Sequence, residues 1–162
     1  FENVCGIKVS RPLPHYAEVK RLCGDRIVLS HPSETEYLTL MREHGMRVHM
    51  SSAAPFLMQT AAWKPVHEYS ELGLAGRFEE AQKVRDAITP LREVHEKWMR
   101  EPWLKHQLIP IAYLKVWTEL LGLAAGPVRA PLLQATDEER AQIAADLERC
   151  GLLARLPAVR AA

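Results

Sequence analysis

Three short strand-like segments, each followed by a stretch of helical periodicity, restrict what the first 75 residues can become. Residues 4–9 (Val-Cys-Gly-Ile-Lys-Val) are apolar or small except for Lys8, and Arg11-Pro12-Leu13-Pro14 follows them as a breaker. Residues 26–30 form a second short apolar run, closed by His31-Pro32, and residues 47–51 alternate polar and apolar as a third. Between and after them lie three helical patterns. Residues 16–23 carry Val19, Leu22 and Cys23, with Gly24 as a stop. Ser33 with Glu36 reads as a capping box for a helix striped by Tyr37, Leu38 and Met41 and stopped by Gly45. Residues 55–69 have helical spacing up to Pro65, which ends or kinks the helix near Lys64. Strands that alternate with helices imply right-handed crossovers and a parallel sheet, with ligand sites at the carboxyl ends of the strands. Lys8, Ser30, His31, Arg47, His49 and Ser51 all fall at or near those ends.

No strand pattern returns after Gly76. Phe78, Ala81, Val84, Ile88, Leu91, Val94 and Trp98 recur at steps of three and four, which predicts one long amphipathic helix bent at Pro90. Residues 108–122 repeat the pattern, a Gly/Pro-rich connector occupies 126–131, and Thr136 with Glu139 caps a last helix that Gly151 closes. The order is βαβαβα followed by three helices. Three strands cannot close a barrel, and a three-stranded parallel sheet buried on both faces needs more neighbours than these residues supply. With Phe1 in place of an initiating methionine, the expectation is a piece of something longer.

Lys8 is the anomaly of the first strand. Burying an ammonium costs several kcal/mol, so a lysine in an apolar strand is paired, used, or brought to a lower pKa. On strand alternation Val4, Gly6 and Lys8 share one face, and Gly6 leaves room beside the amine for a small ligand. The alternative is a lysine at a strand end that reaches out to water.

Composition narrows the partners. The 162 residues carry 21 basic and 20 acidic side chains mixed along the chain, so no field recruits nucleic acid or an anionic membrane. Cys5, Cys23 and Cys150 are odd in number and show no CxxC spacing, which fits reduced thiols in a cytoplasmic protein. His15, His44, His67, His95 and His106 show no metal-ligand spacing, so neither a metal nor a cofactor is expected. Trp63, Trp98, Trp103 and Trp117 read as core and subunit interface. Apolar residues on more than one face of the helix at 108–122, Trp117 against Tyr113 and Val116, suggest a partner subunit.

Several stretches resemble one family. Asn3-Val4-Cys5-Gly6-Ile7-Lys8 looks like the sixth strand of the class I aldolases related to dihydrodipicolinate synthase and N-acetylneuraminate lyase. Ser51-Ser52-Ala53-Ala54-Pro55 looks like that family's eighth strand and the proline opening its next helix. Tyr113-Leu114-Lys115, Leu120-Leu121-Gly122 and the Val128-Arg129-Ala130-Pro131-Leu132 run resemble its C-terminal extension. The resemblance implies an α/β fold: the C-terminal half of a (β/α)8 TIM barrel, strands six to eight, followed by a three-helix extension. Residues 1–75 would be the last three βα units and 76–162 the extension. Departures fall at Ser30-His31-Pro32-Ser33, where the family carries a glycine and acidic residues, and at Gly45-Met46-Arg47-Val48-His49, the approach to strand eight. Both lie at the pocket rim. The family's threonine pair and proton-shuttling tyrosine belong to its first half, which has no equivalent here.

The implied chemistry is a Schiff-base aldolase or lyase reaction. Lys8 would attack the ketone of pyruvate or a related 2-keto acid, and the imine would act as electron sink for aldol addition to an aldehyde or for the reverse cleavage. Arg47 would bind the substrate carboxylate or pair with a structural acid. His49 would move protons or serve as a hydrogen-bonded core residue. Ser51 and Ser52 would donate to the keto acid or cap the next helix, and His31 would touch substrate from its strand-end loop. The implied partners are small-molecule keto acid and aldehyde, other copies in a homodimer or homotetramer, and the missing N-terminal half-barrel. A second reading is a non-catalytic relative or a truncated helical interaction module. A third, a complete small domain unrelated to the barrel, predicts a stable monomer of 18.4 kDa.

Overall fold

The structure is a computed structural model, and it describes residues 2–51 and 54–156. Ser52 and Ala53, part of the segment likened to strand eight, lie outside the described residues. Two compact units divide the chain, one from Phe1–Pro55 and His67–Arg85, the other from Phe56–Val66 and Asp86–Ala162.

The first unit holds a three-stranded parallel sheet. Strand β1 (Gly6–Lys8) pairs with β2 (Val28–His31), and β2 pairs with β3 (Val48–His49), in the order β1-β2-β3. Helices α1 (Leu13–Cys23) and α2 (Glu34–His44) make the crossovers. The left-handed backbone that ends α2 at Gly45 (φ 63°) is one a side chain would strain, which explains the glycine stop. Helix α4 (Pro65–Leu74) approaches α2 closely at Gly73, where an added Cβ would come within 2.7 Å of the Met41 Cε. Tyr16, Leu29, Tyr37, Leu38, Leu40, Met41 and Tyr69 fill this unit's core.

Two local expectations fail here for identifiable reasons. The strand around Lys8 is not buried: every residue of β1 is exposed. A parallel strand is buried only when both its faces and both its edges are covered, and β1 has β2 alone as neighbour among the described residues. The capping box at Ser33 is not formed either. Ser33 is the N-cap of α2, but its side chain makes no cap bond, and its N–H donates to His31 Nδ1 at 3.2 Å instead of to Glu36.

Pro65 opens a helix where it was expected to end one. The apolar run breaks into α3 (Ala54–Leu57) and α4, with a turn between them in which Thr60 N donates to the Trp63 carbonyl at 2.8 Å. Proline suits the first helical turn because the N–H it lacks would have no partner there.

The second unit is helical. The long helix expected through Trp98 is instead α5 (Phe78–Ala87), shared at the unit boundary, then α6 (Thr89–His95), a π-helical stretch (Glu96–Arg100) and α7 (Glu101–His106). Pro90 and Pro102 each sit in the first turn of a new helix, which accounts for the interruptions. The π stretch brings the adjacent Lys97 and Trp98 onto one buried carboxylate, Asp146 Oδ2, at 2.6 and 2.8 Å. Helix α8 (Ile111–Leu120) buries both Val116 and Trp117, and Trp117 Nε1 donates to the Leu57 carbonyl at 3.0 Å. Val116 and Trp117 are therefore used inside the unit, whereas Tyr113 on the same helix is half-buried. Trp98 is also buried, whereas Trp103 is exposed. Helix α9 (Asp137–Arg149) carries the expected capping box, with Glu139 N on Thr136 Oγ1 at 3.1 Å and Thr136 N on Glu139 Oε2 at 2.8 Å.

Candidate functional site at the carboxyl ends of the strands

Register decides which residues share a side of the sheet. Lys8 lies opposite Ser30, and Ser30 opposite Val48; one pleat earlier, Gly6 lies opposite Val28. Residues paired across a parallel ladder point the same way, so Gly6, Lys8, Val28, Ser30 and Val48 form one face. That face is open: Val28 is 52% exposed, Val48 41%, and Met50 just beyond β3 51%. Ile27, Leu29 and His31 occupy the opposite face and are buried on the helix side. The exposed lysine therefore belongs to an apolar sheet face that no described residue covers.

Ser30, placed by the sequence at a strand end but given no role there, is the direct neighbour of Lys8. Its side chain is almost wholly buried although its face is open, because Ser30 Oγ accepts from Met50 N at 2.8 Å and Ser30 O accepts from Val9 N at 2.8 Å. The hydroxyl thereby ties the ends of β2 and β3 beside Lys8. Strand alternation within residues 26–30 is visible in sequence, but the pairing with Lys8 depends on register, for which no sequence signal exists. An added Cβ at Gly6 would stand 3.4 Å from the Val28 carbonyl oxygen, an ordinary contact, so Gly6 leaves space beside the amine that the backbone does not require.

The two histidines lie on the other side. His31 meets the Tyr16 ring edge-on at 6.2 Å, and His49 stacks on the Tyr37 ring at 4.7 Å with 19° between planes. His31 Nε2 is 3.0 Å from the Arg11 carbonyl, its Nδ1 accepts from Ser33 N, and His49 Nε2 is 3.4 Å from the Pro32 carbonyl. Burial pushes the His49 pKa below the ordinary histidine value. The Pro32 carbonyl and Glu34 oppose that shift, while the charge of Lys8 reinforces it. His49 is consequently neutral near pH 7 and lies within electrostatic reach of the Lys8 amine. Behind it, the buried Glu34 accepts from Tyr69 Oη at 2.9 Å.

Arg47 is exposed one residue before β3, toward the amino ends of the strands, and Ser51 is half-buried after Met50. On the alternation both fall on the side of His49 rather than that of Lys8. The structure thus brings together Lys8, Gly6 and Ser30 on one face, and His31 and His49 on the other. Among the described residues no group of three or more His, Cys, Asp or Glu side chains is placed to hold a metal ion, and no helix is long and apolar enough to cross a membrane.

No protein-family model matches the chain. It is 28% identical over 152 residues to the 4-hydroxy-tetrahydrodipicolinate synthase of Halorhodospira halophila, a match that covers 93% of this chain and 45% of that protein. It is 60% identical over 35 residues to the enzyme of the same name from Moorella thermoacetica, covering 22% of this chain and 12% of that one. Among solved structures, a dihydrodipicolinate synthase superposes with a TM-score of 0.66 at 20% identity, over 94% of this chain and 47% of the other. A Sulfolobus 2-keto-3-deoxygluconate aldolase in complex with D-KDPG gives 0.65 at 18% identity, over 89% and 44%.

A parallel βα ladder followed by helices, matched over nearly its whole length by less than half of such enzymes, defines an α/β chain with the architecture of a partial (β/α) barrel. This likeness sets aside a small domain unrelated to the barrel. The chain is similar over nearly its whole length to 4-hydroxy-tetrahydrodipicolinate synthase, and it spans about half the length of the relatives it matches.

Proposed function

We propose that this chain carries the Schiff-base lysine of a pyruvate-type class I aldolase or lyase, and that the remaining part of the barrel completes the site. The observation that carries the reading is the place of Lys8, the last residue of β1, on the open face of a parallel sheet and in register with Ser30. Ligand sites of such sheets lie at the carboxyl ends of the strands. In its neutral form the amine adds to the carbonyl carbon of a 2-keto acid, and with one proton taken up from solvent the carbinolamine oxygen leaves as water to give a protonated imine. Loss of a proton from the neighbouring carbon yields an enamine, which adds to an aldehyde; the reverse sequence cleaves the same bond. Gly6 provides the space beside the amine. The keto-acid carboxylate is not assigned to Arg47 or Ser51, since alternation sets them on the far side of the sheet. The reading includes a cytoplasmic, homo-oligomeric enzyme without a cofactor.

Incubation with pyruvate and sodium borohydride, followed by intact-mass and peptide analysis, tests it. A reduced adduct on Lys8, absent from Lys8→Ala, is the expected result. The exposure of β1 favours the second reading, a non-catalytic relative or truncated helical interaction module. An unmodified Lys8 at saturating pyruvate would decide for that alternative.

A further inference from the structure

We propose that His31 is a positioning residue: as the neutral tautomer protonated at Nε2, it fastens the connections that follow β1 and β2 to each other beside Lys8. Its partners dictate the tautomer. The Arg11 carbonyl only accepts, so the Nε2 that stands 3.0 Å from it carries the proton. The Ser33 N–H only donates, so the Nδ1 that stands 3.2 Å from it is bare. Both ring nitrogens are spent on backbone, and the ring is held edge-on to Tyr16 with 7% of its surface exposed.

The three segments joined by this ring are those that carry the candidate site. Arg11 lies three residues after Lys8, His31 directly follows Ser30, and Ser33 opens α2. In a capping box the N-cap N–H is taken by the glutamate three residues on. Here Glu36 is available at that spacing, yet the N–H goes to His31, so the imidazole replaces a bond local to α2 with one that reaches back to the chain leaving β1. His49 adds a weaker tie from β3 to the Pro32 carbonyl at 3.4 Å. The direction of the chain leaving Lys8 is thus set by a side chain on the opposite face of the sheet.

The trapping part of the following test rests on the Lys8 reading, whereas the exchange part does not. His31→Phe keeps a ring against Tyr16 and loses both bonds. His31→Asn keeps a side-chain oxygen able to accept from Ser33 N but cannot reach the Arg11 carbonyl. Amide hydrogen exchange should show Ser33 roughly tenfold less protected in His31→Phe and restored in His31→Asn, the size expected for one lost hydrogen bond. In pyruvate trapping, both variants should raise the half-saturating concentration while still modifying Lys8 fully at saturation. Unchanged Ser33 exchange in His31→Phe overturns the proposal. Should that variant not fold, His31→Asn decides alone: faster exchange at Val9 and Ser10 with Ser33 protected supports it, and unchanged exchange overturns it. A parent protein that traps no pyruvate refutes the Lys8 reading and leaves the exchange result to judge His31.

Discussion

Lys8 shows why a residue's chemistry depends on more than its own segment. An apolar run around a lysine predicts burial, and burial predicts a reactive amine, but β1 has one neighbour and stands exposed. What remains of that expectation is geometric: the amine, the gap at Gly6 and the Ser30 hydroxyl lie on one face. Gly6→Ala should fill that gap at little cost to the fold, since its Cβ meets only the Val28 oxygen and Cβ, at 3.4 and 4.0 Å. Thermal unfolding is expected to stay within about 1 kcal/mol of the parent, as for most changes at open positions. Trapping of 2-keto acids bulkier than pyruvate should slow more than trapping of pyruvate itself. Equal slowing for both would show that Gly6 does not border the ligand. The candidate residues were legible in sequence as a group at the strand ends. Which of them share a face was not, because a side chain's side follows from register, as the separation of His31 and His49 from Lys8 shows.

Local chemistry fixed some elements and misjudged others. The box at Thr136 and Glu139 forms as its spacing predicts, and the same glutamate also joins α8 to α9, because Tyr113 Oη donates to Glu139 Oε1 at 2.6 Å. That bond pushes the Tyr113 phenol up to about 12, with burial and the carboxylate charge adding to it, and it holds Glu139 below the usual carboxylate range. A raised folded pKa stabilises the protein below the ordinary tyrosine value, and that contribution is lost as pH rises through about 12. The lowered Glu139 acts at the other end, its contribution present above the ordinary glutamate value and lost as pH falls through the folded one. Ultraviolet titration should show one phenol ionising near pH 12 in the parent and earlier in Glu139→Gln; coincident curves would refute the coupling. The similar-looking box at Ser33 fails because a competitor outside the helix occupies the N–H, which the spacing of Ser33 and Glu36 does not announce. Pro90 announces a bend, but a full break there and the π stretch at Glu96–Arg100 were hidden by an apolar period that runs on unbroken through both.

For the chain as a whole, alternating strands and helices were readable because periods of 2.0 and 3.6 differ and because glycine and proline mark the ends. The extent of the barrel was readable only as a shortfall: three strands, and relatives of which the chain covers 45% and 47%. Val28, Val48 and Met50 on one open face, beside a strand with an unpaired edge among the described residues, predict that the chain alone self-associates in a concentration-dependent way. Sedimentation velocity should show this, and Val28→Lys with Val48→Glu should suppress it; a monomer at every concentration would mean that the apolar face is tolerated in water.

Strand β1 is flanked on one edge only among the described residues, so the surroundings of its amine are partly on loan. Whatever lies along the other edge sets how wet that nitrogen is and what it meets. Its reactivity would then respond to company as much as to sequence, and simple dilution becomes a way to tune it without altering a single atom of the chain.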